Sequence, residues 1–230
     1  MHIGIIRPGL IDYAEALKLQ EKLMLLRQSG KVGDMLLLLE HPPVLTIGRR
    51  GSPANICLSG EELESKGVAV YEASRGGDVT YHGPGQIVGY PVMDLNEHGR
   101  DVRGFVWKIE EVFIRLLKAE YGIEAARDEG KYTGVWVGDE KITAIGIAIK
   151  RWVTMHGFAF NINTDLEHFK WIVPCGLADR GVTSLQKLLG RPVDFKDANE
   201  KTASCFCEVF GMEPRTVSME EIVGLPIEQE

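Results

Sequence analysis

From residue 135 to residue 162 the side chains follow a period of two, with the turn-forming pair Gly138 and Asp139 separating strand-like runs. Successive residues of a strand face opposite sides of a sheet, so this stretch predicts a meander of antiparallel strands. In the strand after Lys141, Ala144, Gly146 and Ala148 alternate with Thr143, Ile145, Ile147 and Ile149. In the next strand, Gly157 and Ala159 alternate with His156, Phe158 and Phe160. One face of each strand is therefore almost bare. If the two pair with their small residues on a common face, a layer of side chains is missing there. Either a thin apolar ligand lies in that groove or a helix packs closely over it.

The flanking sequence supplies the rest of a mixed fold. Residues 12–28 predict a helix with Asp12 as N-cap, Glu15 reaching back, Ala16, Leu19, Leu23 and Leu26 on one stripe, and Gly30 as the stop. The run MLLLLE, residues 35–40, has strand length and ends at Pro42 and Pro43. A second long helix follows Asp101, with Val102, Val106, Ile109, Phe113 and Leu116 at helical spacing and Gly122 at its end. Thr183 and Gln186 predict a capping box for a short helix, and a last helix runs over residues 198–210 to Gly211. Strands and helices without regular βαβ alternation define an α+β class, a single domain with a mixed β-sheet flanked by helices. Residues 1–211 form that domain, and residues 212–230, acidic and without a motif, are expected as a peripheral tail.

At 230 residues the chain can bury one sizeable core, and 44% hydrophobic with 26% charged residues is ordinary for a globular protein. A net charge of −7 argues against nucleic acid as a partner. No apolar run approaches the ~18 residues that span a bilayer, so a cytoplasmic protein with no membrane partner is expected. Four cysteines, Cys57, Cys175, Cys205 and Cys207, are too few and too irregular for a disulfide framework and are expected as free thiols. The histidines show no paired metal-ligand spacing.

The most unusual stretch is RGGDVTYHGPGQIVGY, residues 75–90, in which glycines crowd around Arg75, Thr80 and His82. Glycine lets backbone approach a ligand closely, yet the same composition suits a hairpin turn. It is neither of the common glycine-rich phosphate loops. Cys175 lies between Pro174 and Gly176 in a loop-like segment, unlike Cys207 in its helix, which makes it the best nucleophile candidate. Lys141, beside a turn, reads by itself as a solvated charge.

RGGDVTYHGPGQIVGYP resembles the signature of the octanoyltransferases of lipoate biosynthesis, also called lipoate-protein ligase B. LLLLEHPPVLTIGRRG, DEKITAIGIAIKRWVTMHGFAFNIN, and PCGL followed by VTSL are similar to the same family in order and spacing, over roughly residues 10 to 210. The resemblance implies the catalytic fold of biotinyl and lipoyl protein ligases. It also implies transfer of an octanoyl group from acyl carrier protein, through a thioester on Cys175, to a lysine of a lipoyl domain. Acceptors would be the lipoyl domains of 2-oxoacid dehydrogenases and the glycine cleavage H protein. Lys141 would be the catalytic partner, its ammonium favouring the thiolate and its neutral amine taking a proton.

The acyl-binding segments would be Arg75, Gly76, Gly77, Asp78, Val79, Thr80, Tyr81 and His82, then Ala144, Ile145 and Gly146, then Gly157, Phe158 and Ala159. His82 would orient the acyl group or donate to it. No cofactor, neither ATP nor metal, is implied. The exposed pair Arg49 and Arg50 would guide an acidic carrier toward the site despite the net charge. The rival is an ATP-dependent lipoate or biotin ligase, which activates a free acid as its adenylate.

Overall fold

The structure is a computed structural model that describes residues 1–128, 132–173 and 180–226. In chain order the elements are β1 (His2–Leu10), α1 (Tyr13–Gln28), β2 (Asp34–Glu40), β3 (Val44–Ile47), α2 (Gly60–Ser65), β4 (Ala69–Glu72), β5 (Val79–His82), β6 (Gln86–Val92) and α3 (Val102–Tyr121). The second half contains β7 (Ala126–Arg127), β8 (Gly134–Val137), β9 (Glu140–Lys150), β10 (Val153–Asn161), β11 (Gly181–Val182), α4 (Leu185–Leu189), α5 (Phe195–Phe210), β12 (Glu213–Thr216) and α6 (Met219–Val223).

The large sheet has the order β12-β1-β2-β6-β10-β9-β8-β7, with β11 joined to β9. It is mixed: β1 pairs in parallel with β2 and β12, whereas β2-β6, β6-β10, β10-β9 and β9-β8 are antiparallel. A second sheet, β4-β3-β5, stands beside it. Strand β2 explains the arrangement. Leu36 and Leu38 enter the core under α3 and α5, while Leu37 and Leu39 enter the core under α1. A strand covered on both faces must be apolar without alternation, and each such leucine contributes about 1.5–3 kcal/mol by burial.

Several local expectations shift. Asp12 is the N-cap of α1, but its carboxylate makes no capping bond, and the backbone bond from Ala16 to the Asp12 carbonyl alone opens the helix. Helix α4 starts one residue later than the Thr183 capping box implies. The Thr183 N–H is used by the Lys141 carbonyl (3.0 Å), so Ser184 caps the helix instead, at the Lys187 N–H. Helix α5 begins with Asp194 capping Asp197, ahead of the expected start.

The acidic tail takes regular structure at the rim of the fold. Over its described residues it is part of the sheet, with β12 the edge strand paired to β1. Val217 and Ile222 are buried in the α1 core, and Ser218 with Glu221 forms a capping box for α6. All four residues of this short edge strand are exposed, and the buried contacts come from Met212, Val217 and Ile222 on either side of it.

Candidate active site

The bare face is real and in register. Gly157 lies opposite Gly146, Ala159 opposite Ala144, and Met155 opposite Ala148. Directly opposed residues of an antiparallel pair share a face, so the small side chains of β9 and β10 fall together. Helix α1 packs on one end of this face, at Met155 and Ala148, and leaves Ala144, Gly146, Gly157 and Ala159 to line a cleft. The backbone of residues 75–77 also approaches: the Gly76 N–H donates to the Ile147 carbonyl at 2.9 Å. Between that loop, β5 and the two strands lies a cleft of about 600 Å³, a size typical of small-molecule sites.

Of the residues implied to bind the acyl group, Arg75, Gly76, Gly77, Asp78, Val79, Thr80, His82, Ala144, Ile145, Gly146, Gly157, Phe158 and Ala159 line this cleft. Tyr81 does not. Alternation along β5 turns it into the small core of the second sheet, where its hydroxyl meets His168 Nδ1 at 2.7 Å. Ile145 and Phe158 have their side chains in the core under α3. The Asp78 carboxylate is held by the Asn55 amide at 2.9 and 3.0 Å.

The loop 48–51 is laced to the glycine-rich loop. Gly48, Arg49 and Arg50 donate their N–H groups to the carbonyls of Asp78, Arg75 and Gly77. A Cβ on Gly48 would lie 2.6 Å from the Gly77 carbonyl oxygen, so only glycine allows this approach. Arg49 and Arg50 are exposed, and Arg50 reaches the cleft. Arg75 is buried, which lowers its pKa. One terminal nitrogen donates to the carbonyl and hydroxyl of Thr46 at 2.7 and 2.8 Å, and its Nε has no partner.

Lys141 opens β9 at one end of the cleft. It is half-buried, donates to the Thr133 carbonyl at 3.1 Å, and stands 4.7 Å from the Trp136 ring centre. Burial of its amine, opposed by Asp128 and Glu110 and reinforced by Arg180, brings the pKa down to about 8. An amine so poised exchanges protons near neutral pH, which a solvated lysine does not. Cys175 lies outside the described residues, but Ile172 and Val182 on either side of that segment both line the cleft. Val182 pairs directly with Lys141.

The remaining cysteines are free. Burial pushes the Cys205 thiol up to about 11 and raises that of Cys207, which suits both to packing rather than attack. His41 is buried, with Nδ1 on the Ile11 carbonyl at 2.7 Å and Nε2 on the Tyr90 hydroxyl at 2.8 Å, a structural role. Sequence reasoning assigned nothing to Tyr13, Gln86 or Asn161, although all three line the cleft. Only the position of Gln86 within the glycine-rich signature hinted at it. Among the described residues no cluster of three or more metal-ligating side chains occurs, and no helix is long and apolar enough to cross a membrane.

Filling the groove at a position that carries no backbone contact tests its use. A Cβ on Gly157 would meet the Gly89 carbonyl oxygen at 2.1 Å, and one on Gly146 the Gly76 carbonyl oxygen at 3.0 Å, so both glycines hold the sheet and loop together. Ala144 is half-buried and already carries its Cβ. Burial at ~0.8 kcal/mol per CH₂ predicts roughly tenfold stronger binding for each two-carbon extension until the groove ends. In Ala144→Leu that gain should stop at a shorter chain, measured as kcat/KM across butyryl, hexanoyl and octanoyl donors. An unchanged profile would place the acyl chain elsewhere.

A mixed sheet with helices on both faces, an edge-on glycine-rich loop and an acyl-sized cleft is the architecture of the protein ligases that attach lipoate and biotin. An archaeal bipartite lipoate protein ligase from Thermoplasma acidophilum superposes with a TM-score of 0.74 at 16% identity, covering 96% of this chain and 89% of that one. A biotin protein ligase from Aquifex aeolicus follows at 0.51 and 12%, covering 91% and 69%. These likenesses establish the fold. The family model of the lipoyl protein ligase A/B catalytic domain matches residues 12–207. An octanoyltransferase of Caldicellulosiruptor saccharolyticus is 60% identical over 99% of this chain and 98% of its own length. The chain belongs to the lipoyl protein ligase A/B catalytic family, among its octanoyltransferases. It is an acyltransferase enzyme that moves octanoyl groups in protein lipoylation.

Proposed function

We propose that the protein transfers octanoyl from acyl carrier protein to a lysine of a lipoyl domain in two steps through a thioester on Cys175. In the first, the Cys175 thiolate attacks the thioester carbonyl carbon of the phosphopantetheine-linked donor. The new C–S bond forms as the old one breaks, and the carrier's sulfur leaves as a thiolate. In the second, the acceptor lysine amine attacks the Cys175 thioester, an amide forms, Cys175 departs as thiolate, and Lys141 takes the proton the amine loses. Thioester exchange is close to neutral and amide formation from a thioester is downhill, so neither ATP nor a metal takes part. The exposed Arg49 and Arg50, the second of them at the cleft, guide the acidic carrier, and the reaction belongs to the cytoplasm.

The observation that carries this reading is Lys141: a half-buried amine with its pKa lowered to about 8, lining the same cleft as Ile172 and Val182 on either side of the segment that contains Cys175, and paired directly with Val182. The protein, incubated with octanoyl-carrier protein and no ATP, should gain the mass of one octanoyl group on the Cys175 peptide. Absence of that adduct, with transfer seen only from free octanoate plus ATP, would make the enzyme an adenylating ligase instead.

A further inference from the structure

His82 belongs to a hydrogen-bonded chain whose donors and acceptors are dictated from one end. The Thr183 backbone carbonyl can only accept, so the Asn161 side chain at 3.0 Å must offer it Nδ2. That leaves Asn161 Oδ1 toward Gln86, which therefore donates with Nε2 at 2.9 Å. Gln86 in turn presents Oε1 to His82 at 2.8 Å, and an amide oxygen can only accept. His82 thus carries its proton on Nδ1. Its other ring nitrogen, Nε2, has no protein hydrogen bond among the described residues, and the residue lines the cleft.

The chain also runs to the catalytic end of the sheet. Gln86 and Asn161 are register partners on β6 and β10. The Thr183 N–H bonds the Lys141 carbonyl at 3.0 Å. From the β9 column of Lys141 to the β6 column of Gln86 is two strand spacings, about 10 Å. The groups facing His82 reinforce the assignment. Tyr13 of α1 stacks on it at 6.5 Å between ring centres, and His41 meets it edge-on at 5.8 Å. Burial, with His41, Arg75 and His156 nearby, brings its pKa down to about 3, so the ring stays neutral.

We propose that Gln86 and Asn161 are positioning residues for the transfer reaction: they hold His82 as the Nδ1–H tautomer, so that Nε2 meets the substrate as a hydrogen-bond acceptor. A nitrogen with a free lone pair orients an N–H, and the N–H at hand is that of the attacking lysine amine. It cannot donate to the carbonyl or to the oxyanion, so of the two roles expected for His82, orienting the acyl group or donating to it, the second is set aside. Stabilisation of the oxyanion falls to other groups. The catalytic consequence rests on the acyl-transfer reading above, whereas the tautomer can be read without any substrate.

Two-bond ¹H–¹⁵N correlation spectra of the histidine rings, assigned with His82→Gln, should show Nδ1 protonated and Nε2 bare in the unliganded enzyme at pH 7. Gln86→Leu should convert His82 largely to the Nε2–H form and lower kcat by about tenfold or more with a smaller change in KM. Gln86→Glu keeps an acceptor at Nδ1 but loses the donor to Asn161, so it should retain the Nδ1–H tautomer while raising the pH at which the ring takes up a second proton. An Nε2–H tautomer in the wild-type enzyme would overturn the proposal, and that measurement stands even if the leucine variant does not fold. So would a folded Gln86→Leu variant with unchanged tautomer and kcat. Failure of Cys175 acylation with the Nδ1–H tautomer intact would instead remove the thioester reading and leave the relay in place.

Discussion

Lys141→Ala is expected to lower kcat for octanoyl transfer by about 10² to 10⁴, the usual contribution of a positioned general acid–base group. The size of the loss follows from the state of the amine. With a pKa of about 8 the folded protein holds Lys141 as ammonium in roughly nine molecules of ten at pH 7 and as free amine in the rest. The ammonium favours a thiolate close to it, and the free amine takes the proton released when the acceptor lysine attacks. If the second step limits turnover, kcat should rise as pH rises through about 8 and level off above it, because the neutral amine is the base. Lys141→Ala should erase that limb. Lys141→Arg retains the charge but cannot deprotonate in the accessible range, so it should be nearly as slow as alanine while preserving alkylation of the cysteine at low pH. Stopped-flow acyl transfer and iodoacetamide titration between pH 6 and 9.5 measure both. A Lys141→Ala enzyme with the same rate and the same pH profile would remove the residue from the mechanism.

Asp34→Ala is expected to destabilise the fold by about 3–5 kcal/mol, lowering the thermal midpoint by roughly 10 °C for a chain of this size. Asp34 starts β2 and is almost fully buried. Its Oδ1 accepts from Arg27 Nε at 2.8 Å and from the Asp94 N–H at 3.0 Å, and its Oδ2 from His98 Nε2 at 2.6 Å. One carboxylate thereby fastens the end of α1, the start of β2 and the loop after β6. Removing it strands the buried Arg27, which keeps only Glu97 at 2.7 Å and the more distant Asp94.

Burial alone would raise the Asp34 pKa, but the bonds from His98, Arg27 and Asp94 outweigh it and hold the carboxylate below its ordinary value. A pKa depressed on folding contributes stability at pH above the unfolded value of about 4, and that contribution is lost as pH falls through the folded value. The gap between wild type and Asp34→Ala should therefore be constant near neutrality and narrow below about pH 4. Urea unfolding at pH 7, 5 and 3 reads it directly. A variant within 1 kcal/mol of wild type at pH 7 would show that the network adds no net stability.

How much of this was legible beforehand depends on the range of the interaction. The uninterrupted leucines of β2, Asp101 and Gly122 bounding α3, and the alternation along β9 and β10 all act over a few residues, and each appears in the structure where the pattern put it. The bare face needed only period two to be recognised. Whether a ligand or a helix would cover it was open, because that turns on how a loop some seventy residues upstream in the chain docks, through the Gly76 N–H on the Ile147 carbonyl. Tyr81 lies off the cleft for a related reason: a signature read as one unit places only every second side chain on one face of a strand.

The regular structure of the acidic C-terminal tail was not legible either. An acidic composition signals solvent, yet the main-chain hydrogen bonds of β12 to β1 depend on backbone and not on side-chain charge. The sequence by itself determined the fold class, the buried strand β2, the bare face of β9 and β10 and the glycine-rich signature, since these follow from periodicity and backbone freedom. Tertiary structure alone decided the properties that make the site chemical. The near-neutral amine of Lys141 arises from burial among Asp128, Glu110 and Arg180, and the tautomer of His82 from a carbonyl a hundred residues away. Protonation states are set by desolvation and by partners in space, and neither is encoded in the spacing of residues along the chain.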